Sequence, residues 1–437
     1  MARASNILVL GGGFGGLESA GYLRWKLKDA LITLVSDQDH FLFRPNTIYI
    51  PFGNDPSRFM RPLGMAMNKR RIEFVHGRAT EVDPDKKQVS VNGARLDYDY
   101  LIVSTGAGMS PEEVPGLSRF AQNIWSPEDM MRLRREFDRV VERSRQGEHT
   151  RVLFLVPPNN KCSGPLYEVV MMLDTWLRKR RARDPVTIVW STYENGYIQA
   201  FGPELHTHVT SEFARRGISG YTEHAVQRVE EDRVVYANGN RLAYDLLVSF
   251  PPYVAAQRFS RLPADDRGFI RTDSETRQVT GIPEVFAVGD AGDFPVKQAF
   301  LAFLQADAVA ENIVSMVQRR KASAVFVPNS LCVMEEYDKA TYAQVPLAET
   351  GDPDRPVKVR EDEAYPYRVG SSVAWRAGKW ALGLWLPWRL GNVKPFHAGT
   401  LWSIGNVGLK GMSKLLSRKI KLEPRKEPGE IEEVEAA

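Results

Sequence analysis

The chain has 437 residues, of which 43% are apolar and 26% are charged. Because a single hydrophobic core stops growing at roughly 250 to 300 residues, this length predicts more than one domain. The apolar content excludes a largely disordered chain, and two cysteines are too few for the disulfide framework of a small secreted protein. A strand pattern follows the N-terminus directly in place of an export signal, so a cytoplasmic protein is expected.

The formal net charge of +4 at pH 7 hides an uneven distribution. The segment Ala364 to Leu422 contains ten lysine and arginine residues and no aspartate or glutamate, so the rest of the chain is net acidic. A local concentration of positive charge predicts an anionic partner surface for this segment.

Residues 6–39 predict a strand, a tight turn, a helix and a second strand. Gly11, Gly13 and Gly16 follow the first apolar run with the spacing G-x-G-x-x-G. In such a turn the first glycine permits the sharp bend, the second lets the backbone approach a pyrophosphate, and the third lets the helix pack closely on the strand. The helix N-terminus then favours the phosphate charge. This unit predicts a nucleotide site.

Further cofactor contacts are predicted around this turn. Ser36 and Asp37 end the second strand and share the expected ribose-binding role, because the acidic residue stands one position later than usual. The remaining predicted contacts near this unit are Phe14, Gly15, Arg44 and Ala79.

Two later segments favour FAD over NAD. One apolar run ends at Thr105 and Gly106, and another ends at Gly289 and Asp290 before a helix. They resemble the later fingerprints of flavoproteins with two dinucleotide-binding domains, in which the aspartate hydrogen-bonds the ribityl chain and the helix N-terminus faces the flavin pyrimidine. Their order and spacing after the glycine turn predict FAD.

A second strand at residues 151–158 precedes the place where nicotinamide-using flavoproteins carry another glycine-rich loop. Here the turn contains a single glycine, Gly164, and Pro157 and Pro158 supply no backbone N–H groups. The pattern predicts a Rossmann-like unit that has lost nicotinamide binding and that carries Cys162 in its turn.

The surroundings of both cysteines resemble those of sulfide:quinone oxidoreductases. KCSGPLYE around Cys162 is similar to the redox-cysteine segment of that family, and NSLCVMEEYDKATYAQV around Cys332 is similar to the segment with the partner cysteine. FLFRP, LLVSFPPY and PVKQAFLAFLQADAVAENI also match, so the resemblance extends to about residue 345. The alternative is two unrelated buried thiols.

The resemblance implies roles for four residues. Cys332 would lie beside flavin C4a, and Cys162 would be bridged to it by a disulfide or by extra sulfur. Because a thiolate is the competent nucleophile, a depressed pKa is expected for Cys332. Glu168 matches the active-site glutamate of the family and is the expected proton acceptor, with a surface or helix-cap carboxylate as the alternative. Lys297 matches a lysine near the flavin ring, with a solvated lysine as the alternative.

Three positions depart from the family pattern. Many members carry a third cysteine and two histidines where this sequence has Trp125, Asp129 and Ala200. The two-cysteine core is retained, so the departures bear on sulfur-chain growth and on proton relay.

The basic segment contains five of the nine tryptophans of the chain. Its longest apolar run, WALGLWLPW, is far shorter than the roughly 20 residues that span a bilayer, and Pro387 is expected to break a single long helix. Tryptophan favours the headgroup region and basic residues favour anionic lipid, which predicts monotopic attachment. Phe396 and Trp402 are the predicted quinone-binding residues. A soluble core helix pair or a homo-oligomer interface is the alternative, whereas the apolar run argues against nucleic acid.

The sequence therefore predicts an α/β fold with two Rossmann-like dinucleotide-binding domains plus a C-terminal membrane-associated amphipathic region. The expected units are an FAD-binding domain from residues 1–110 and 255–320, a second Rossmann-like domain at 111–254, a C-terminal region at 321–422 and a disordered acidic end at 423–437.

The implied function is transfer of two electrons from sulfide, through the cysteine pair and FAD, to a membrane quinone at the cytoplasmic side of the membrane. Sulfur or polysulfide is the expected product, and no metal is expected. The alternatives are a type II NADH:quinone oxidoreductase, the flavin subunit of a flavocytochrome c sulfide dehydrogenase, and a flavin-bound scaffold without turnover.

Overall fold

The structure is a computed structural model that describes residues 4–353, 355–397 and 400–422, without the side chains of residues 400–404. The predicted disordered end at 423–437 lies outside the described residues. Two five-stranded parallel sheets and a mainly antiparallel C-terminal sheet organise the described part of the chain.

The inner strands of the first parallel sheet are apolar and buried on both faces, as is usual for parallel sheets. In spatial order its strands are Val285–Ala287, Tyr100–Val103, Asn6–Leu10, Leu31–Ser36 and Glu73–His76. Two helices, Phe14–Lys26 and Ala299–Val317, pack against each other beside this sheet. The carboxyl end of its central strand leads directly into the glycine turn.

The second parallel sheet repeats this arrangement. In spatial order its strands are Ala121–Asn123, Leu246–Ser249, Thr150–Val156, Val186–Thr192 and Ile218–Tyr221. The helices of this unit are Pro127–Arg145, Gly164–Lys179 and Pro203–Arg216. The central strand ends four residues before Asn160 and leads into the turn that carries Cys162.

Each parallel sheet is accompanied by a three-stranded antiparallel sheet. The strands of these two small sheets are Ala79–Asp83, Gln88–Val91 and Ala94–Asp97, and Val226–Val229, Arg233–Tyr236 and Arg241–Ala243. An antiparallel ribbon pairs Ala107–Met109 with Tyr253–Ala255, so the chain enters and leaves the second unit side by side.

The C-terminal region begins with the strand Asn329–Glu335, which carries Cys332 near its middle and pairs with Ala340–Glu349. The other strands of this sheet are Val357–Val359, Arg368–Ser372 and Arg418–Lys419. Two helices, Val373–Leu390 and Thr400–Leu416, follow from the basic segment; we call them the tail helices.

Short elements complete the described fold. They are the strands His40–Leu42 and Met60–Pro62, the α-helices Gly64–Lys69 and Leu117–Phe120, and the 3₁₀ helices Arg44–Phe52, Pro56–Phe59, Pro111–Glu113, Gln199–Phe201 and Gly289–Ala291.

The expected break at Pro387 is wrong in its position. The first tail helix runs through Pro387 and ends at Leu390, because a proline in the last turn disturbs little of the helix that precedes it. The chain turns after Gly391, so the basic segment still forms two helices.

One described helix, Ala299–Val317, is long and apolar enough to cross a membrane by length and composition. It is 67% buried within its apolar window and packs on the first helix, which is typical of a core helix. The predicted α/β fold with two Rossmann-like units is confirmed by the two parallel sheets and by the structural comparison reported below.

Candidate functional site

A cavity of about 2280 Å³ lies between the two parallel-sheet units and the C-terminal region. Its walls include the glycine turn, the turn with Cys162, the strand with Cys332 and part of the first tail helix. The carboxyl ends of both central strands therefore face one shared space, which is the usual position of ligand sites in open α/β sheets.

The three glycines of the first turn have different surroundings. Gly11 has φ +106°, a conformation that L side chains rarely adopt, and a Cβ on Gly16 would overlap the carbonyl oxygen of Gly11. A Cβ on Gly13 would meet no atom within 4 Å, so the backbone there borders open space. Gly11 and Gly13 line the cavity, whereas Gly16 does not. Gly16 serves helix packing, which is the role that the G-x-G-x-x-G spacing predicts for it.

The other predicted cofactor residues come together at the cavity wall. They are Phe14, Gly15, Ser36, Asp37, Arg44, Ala79, Thr105, Gly106, Gly289, Asp290 and Lys297. Together these features form a cradle that fits a dinucleotide. The backbone at Gly13 is accessible beside a helix N-terminus, and polar groups from distant parts of the chain line the same wall.

Arg44 and Asp290 bring opposite charges to this cavity. The guanidinium of Arg44 lies 4.0 Å from the Trp125 ring centroid and donates to the Trp125 carbonyl oxygen at 2.9 Å. Burial raises the pKa of Asp290, while the cations Lys297 and Arg44 oppose the shift. The wall can therefore contact both polar and aromatic parts of a bound cofactor.

Lys297 is 3% exposed, which excludes the alternative of a solvated lysine. Its ammonium group donates to the Gly292 carbonyl oxygen and lies 3.8 Å from the Phe269 ring centroid. Burial lowers the pKa of Lys297 to about 7, against the opposing effect of Asp290. The side chain can therefore exchange a proton near neutral pH.

Cys162 and Cys332 both line the cavity, and both are free thiols. The backbone N–H of Cys162 donates to Asn160 Oδ1 at 3.0 Å, and Asn160 Nδ2 donates to the Phe250 carbonyl oxygen at 2.8 Å. The side chain of Asn160 thus ties the cysteine turn to the neighbouring strand. The two cysteines, which are far apart in sequence, thus line the same cavity.

The expected depressed pKa of Cys332 is wrong for the protein alone. Burial raises the pKa of Cys332 to about 12, Glu168 adds to the shift, and Lys379 opposes it. Burial also raises the pKa of Cys162, and the nearby Cys332 adds to that shift. Both thiols are held neutral at pH 7, because few charges in the surrounding protein compensate the loss of water.

Glu168 is buried, which excludes the alternative of a surface carboxylate. It forms an ion pair with Lys379, and its Oε1 accepts from the backbone N–H of Glu335 at 3.2 Å. Burial raises the pKa of Glu168 to about 7, while Lys379 opposes the shift. A carboxylate that titrates near neutrality beside Cys332 is suited to accept a proton.

Lys379 is the principal site residue that sequence reasoning missed. It lies on the first tail helix, lines the cavity, and also donates to the Val333 carbonyl oxygen at 2.7 Å. The available clue was a lysine directly before the apolar run WALGLWLPW. A second missed group surrounds Glu335, whose carboxylate accepts from Tyr49 Oη at 2.8 Å and from Arg376 Nε at 2.9 Å.

Two of the three departures from the family pattern, Asp129 and Trp125, make specific local contacts. The Asp129 carboxylate accepts from the Ser126 backbone N–H at 2.8 Å, and the Asp129 N–H donates to Ser126 Oγ, which completes a capping box. Trp125 stacks on Arg44, and both Trp125 and Ala200 line the cavity. Asp129 is thus a structural residue.

Phe396 lies at an aromatic end of the cavity. It stacks on Phe303 with ring centroids 4.6 Å apart and planes 7° apart, and both rings line the cavity. The side chain of Trp402 lies outside the described residues. Quinone binding by Phe396 and by Trp402 stays a sequence prediction.

The fold and the site define the class of oxidoreductases with two dinucleotide-binding domains. The defining features are the glycine turn on one parallel sheet, the cysteine in the equivalent turn of the second sheet, and the cavity that both turns line. The family model described as pyridine nucleotide-disulphide oxidoreductase matches residues 5–148 and 175–306. The chain belongs to this family, and membership in it implies a flavin cofactor.

Several of the relatives are sulfide:quinone oxidoreductases, and others are NADH-ubiquinone oxidoreductases. The chain is 29% identical to a sulfide-quinone reductase of Aquifex aeolicus over 259 residues, which are 57% of this chain and 58% of that protein. It is 22% identical to the mitochondrial sulfide:quinone oxidoreductase of Mus musculus over 328 residues, 72% of each chain. The predicted resemblance and the prediction of an oxidoreductase are confirmed.

A solved structure supports the fold. The X-ray structure of the Aquifex aeolicus sulfide:quinone oxidoreductase superposes with a TM-score of 0.80 at 23% sequence identity. The superposition covers 96% of this chain and 98% of that chain. The C-terminal sheet and the tail thus fall within the shared architecture.

Proposed function

We propose that this chain is a sulfide:quinone oxidoreductase that uses FAD and the Cys162/Cys332 pair. The observation that carries the proposal is the meeting of both thiols with Glu168 and Lys379 in the cavity that the glycine turn also lines. Sulfide donates two electrons, a membrane quinone accepts them, and sulfur or polysulfide leaves as the oxidised product.

The cofactor cradle fits FAD. Gly11 and Gly13 would hold the pyrophosphate at the helix N-terminus, Ser36 and Asp37 the adenosine ribose, and Asp290 the ribityl chain. Lys297 and the Thr105–Gly106 turn would contact the ring system. Bound there, FAD supplies two-electron redox chemistry that protein side chains do not offer.

The cysteine pair performs the sulfur chemistry. When the two sulfurs are bonded, hydrosulfide attacks the Cys162 sulfur, the bond to Cys332 breaks, and Cys332 leaves as a thiolate. Glu168 accepts the proton of the new persulfide, and Lys379 stabilises the Cys332 thiolate. When the Cys162 persulfide and the Cys332 thiolate join through the added sulfur, two electrons are released to the acceptor in the cavity.

The second turn argues against NADH as the electron donor. Pro157 and Pro158 precede it, and the Asn160 side chain crosses it to reach Phe250. A pyrophosphate needs free backbone N–H groups close to the helix start, and here Cys162 occupies that position. The turn supports redox chemistry in place of nucleotide binding.

The tail helices carry a surface suited to lipid. Trp380, Leu384 and Trp388 recur every four residues on one face of the first tail helix, and Trp380 is 67% exposed. Val407 and Leu415 are exposed on the second tail helix. Large apolar side chains that face outward among lysines and arginines support peripheral attachment to an anionic membrane surface. We place this surface at the cytoplasmic side.

Anaerobic addition of sulfide to the FAD-loaded protein tests the function. Flavin absorbance should bleach after a long-wavelength charge-transfer band forms, and the Cys332→Ser variant should show neither change. NADH should leave the spectrum unchanged. Bleaching by NADH with no response to sulfide would contradict the proposal and favour a type II NADH:quinone oxidoreductase.

Membrane attachment has its own test. The wild type should float with vesicles that contain phosphatidylglycerol and remain in solution with phosphatidylcholine vesicles. Trp380→Ser combined with Trp388→Ser should weaken flotation, while Trp25→Ser, a matched exposed tryptophan on the first helix, should not. Equal flotation of all three proteins would contradict attachment through the tail.

A further inference from the structure

Three titratable side chains from distant parts of the chain meet at the aromatic end of the cavity. Glu18 lies on the helix Phe14–Lys26, Asp307 lies on the helix Ala299–Val317, and His397 follows the first tail helix. One ligand atom from each lies within 4.8 Å of the others. Family resemblance assigns no role to any of the three.

Within this triad the His397 ring contacts the Asp307 carboxylate, and the Asp307 carboxylate lies beside that of Glu18. His397 Nδ1 hydrogen-bonds to Asp307 Oδ2. Glu18 is fully buried, and the Phe396 backbone N–H donates to both of its carboxylate oxygens at 2.7 Å. Because the half-buried Asp307 carboxylate lies beside the buried carboxyl group of Glu18, a proton shared between the two groups and held by Glu18 costs less than two neighbouring negative charges.

The triad borders the cavity rather than an isolated core. Asp307, Phe396 and His397 line the cavity beside the stacked Phe303, and Glu18 lies behind them. The side chain of His397 is 24% exposed, so its ring can exchange protons with water. The triad therefore connects the buried carboxyl group of Glu18 to the solvent-accessible His397 ring, which lies next to aromatic side chains.

We infer that Glu18, Asp307 and His397 form a proton-transfer triad for the electron acceptor that binds against Phe396. This inference rests on the proposed function. Reduction of a quinone to a quinol adds two electrons and two protons to its two carbonyl oxygens. The electrons are those released by sulfide oxidation. His397 gives each proton in turn and takes up its replacement from solvent, while Asp307 stabilises the protonated ring and Glu18 holds the shared proton.

The surrounding charges are consistent with this assignment. Burial and the neighbouring Asp307 hold the pKa of Glu18 well above its ordinary range, while the Phe396 N–H and Arg389 oppose the shift. The other ionisable groups nearby are Tyr22, on the Glu18 helix, and Glu311, on the Asp307 helix, which hydrogen-bond to each other at 2.7 Å. Glu311 does not line the cavity, so it provides a matched control.

The test separates proton-dependent from proton-independent electron transfer. The FAD-loaded protein is photoreduced and mixed with decylubiquinone, which takes protons, or with ferricyanide, which takes none. Asp307→Asn and His397→Gln should slow flavin reoxidation by decylubiquinone by about 10²-fold, the low end for loss of a general acid. Reoxidation by ferricyanide and reduction by sulfide should be unchanged, and Glu311→Gln should behave as wild type throughout.

A second measurement does not depend on turnover. Infrared difference spectra between H₂O and D₂O should contain the C=O band of a protonated carboxylic acid that is lost in Glu18→Gln. Glutamine keeps the acceptor for the Phe396 N–H, so this variant should fold.

Several outcomes would overturn the inference. Equal slowing with decylubiquinone and ferricyanide would indicate a structural role. Absence of the Glu18 band would show that Glu18 does not hold the shared proton. One divalent metal per chain that is lost in His397→Gln would identify a metal site instead. If the wild type itself is not reoxidised by decylubiquinone, the proposed function fails; if it is and the variants match it, only the triad fails.

Discussion

The two parallel-sheet units share one architecture and differ in the turn that follows the central strand. In the first unit the backbone at Gly13 borders open space, and Gly16 lets the helix approach the turn. In the second unit the Asn160 side chain accepts from the Cys162 N–H and donates to the Phe250 carbonyl oxygen. The same strand and helix can thus serve nucleotide binding or sulfur chemistry, depending on a few residues of the connecting turn.

Loss of the thiol in the second turn should have the largest effect. Cys162→Ser should lower the rate of flavin reduction by sulfide by at least about 10³-fold, because serine cannot hold the transferred sulfur. Flavin content should be unchanged, since the first turn is intact. Stopped-flow absorbance measures the rate, with Ser163→Ala as the control because that side chain caps no helix N–H. Retained sulfide reduction in Cys162→Ser would remove the functional contrast between the turns.

Loss of the base beside Cys332 should have the next largest effect. Wild-type flavin reduction should speed up as pH rises through about 7, because Glu168 accepts a proton only when ionised and its pKa is raised to about 7. Glu168→Gln should be about 10²-fold slower and should lose this limb of the profile. The ionisation of sulfide itself contributes equally to both proteins, so the difference between the two pH profiles reports Glu168. Parallel profiles would contradict its role.

Crowding the first turn should affect the cofactor rather than the sulfur chemistry. Gly16→Ala should cost about 1–3 kcal/mol of stability and reduce the flavin content, because the added Cβ overlaps the Gly11 carbonyl oxygen. Gly164→Ala, at the equivalent helix start in the second unit, should be tolerated, since a Cβ there meets no atom within 4 Å. Thermal unfolding and the flavin-to-protein absorbance ratio check both variants. Equal effects would mean that the two helix starts do not differ as the structure indicates.

The smallest effect is expected from removing the Asn160 side chain, whose hydrogen bonds join the cysteine turn to the neighbouring strand. Asn160→Ala should destabilise the protein by about 1–2 kcal/mol, because the buried Phe250 carbonyl oxygen and the Cys162 N–H both lose their partner. Chemical denaturation measures the loss, and Ser163→Ala is a local comparison because that side chain caps no helix N–H. An unchanged stability would show that the turn holds its shape without this side chain.

Local patterns were sufficient to predict the nucleotide unit. Gly11 and Gly13 were assigned from spacing alone, since a turn between a buried strand and a helix depends on nearby backbone geometry. Lys379 escaped prediction, because its partner Glu168 is distant in the chain and a charged residue on an amphipathic helix usually faces solvent. The pKa of Cys332 was predicted in the wrong direction, because sequence does not report how much water a cavity excludes.

The sequence by itself determined the α/β class, the glycine turn, the loss of a second glycine turn and the two cysteine contexts. Each of these depends on residues that are close together in the chain. The tertiary structure decided that Cys162, Cys332, Glu168 and Lys379 share one cavity, and that Glu18, Asp307 and His397 meet at its aromatic end. Such meetings depend on how whole sheets and helices pack, and burial at those contacts sets the protonation on which the proposed chemistry depends.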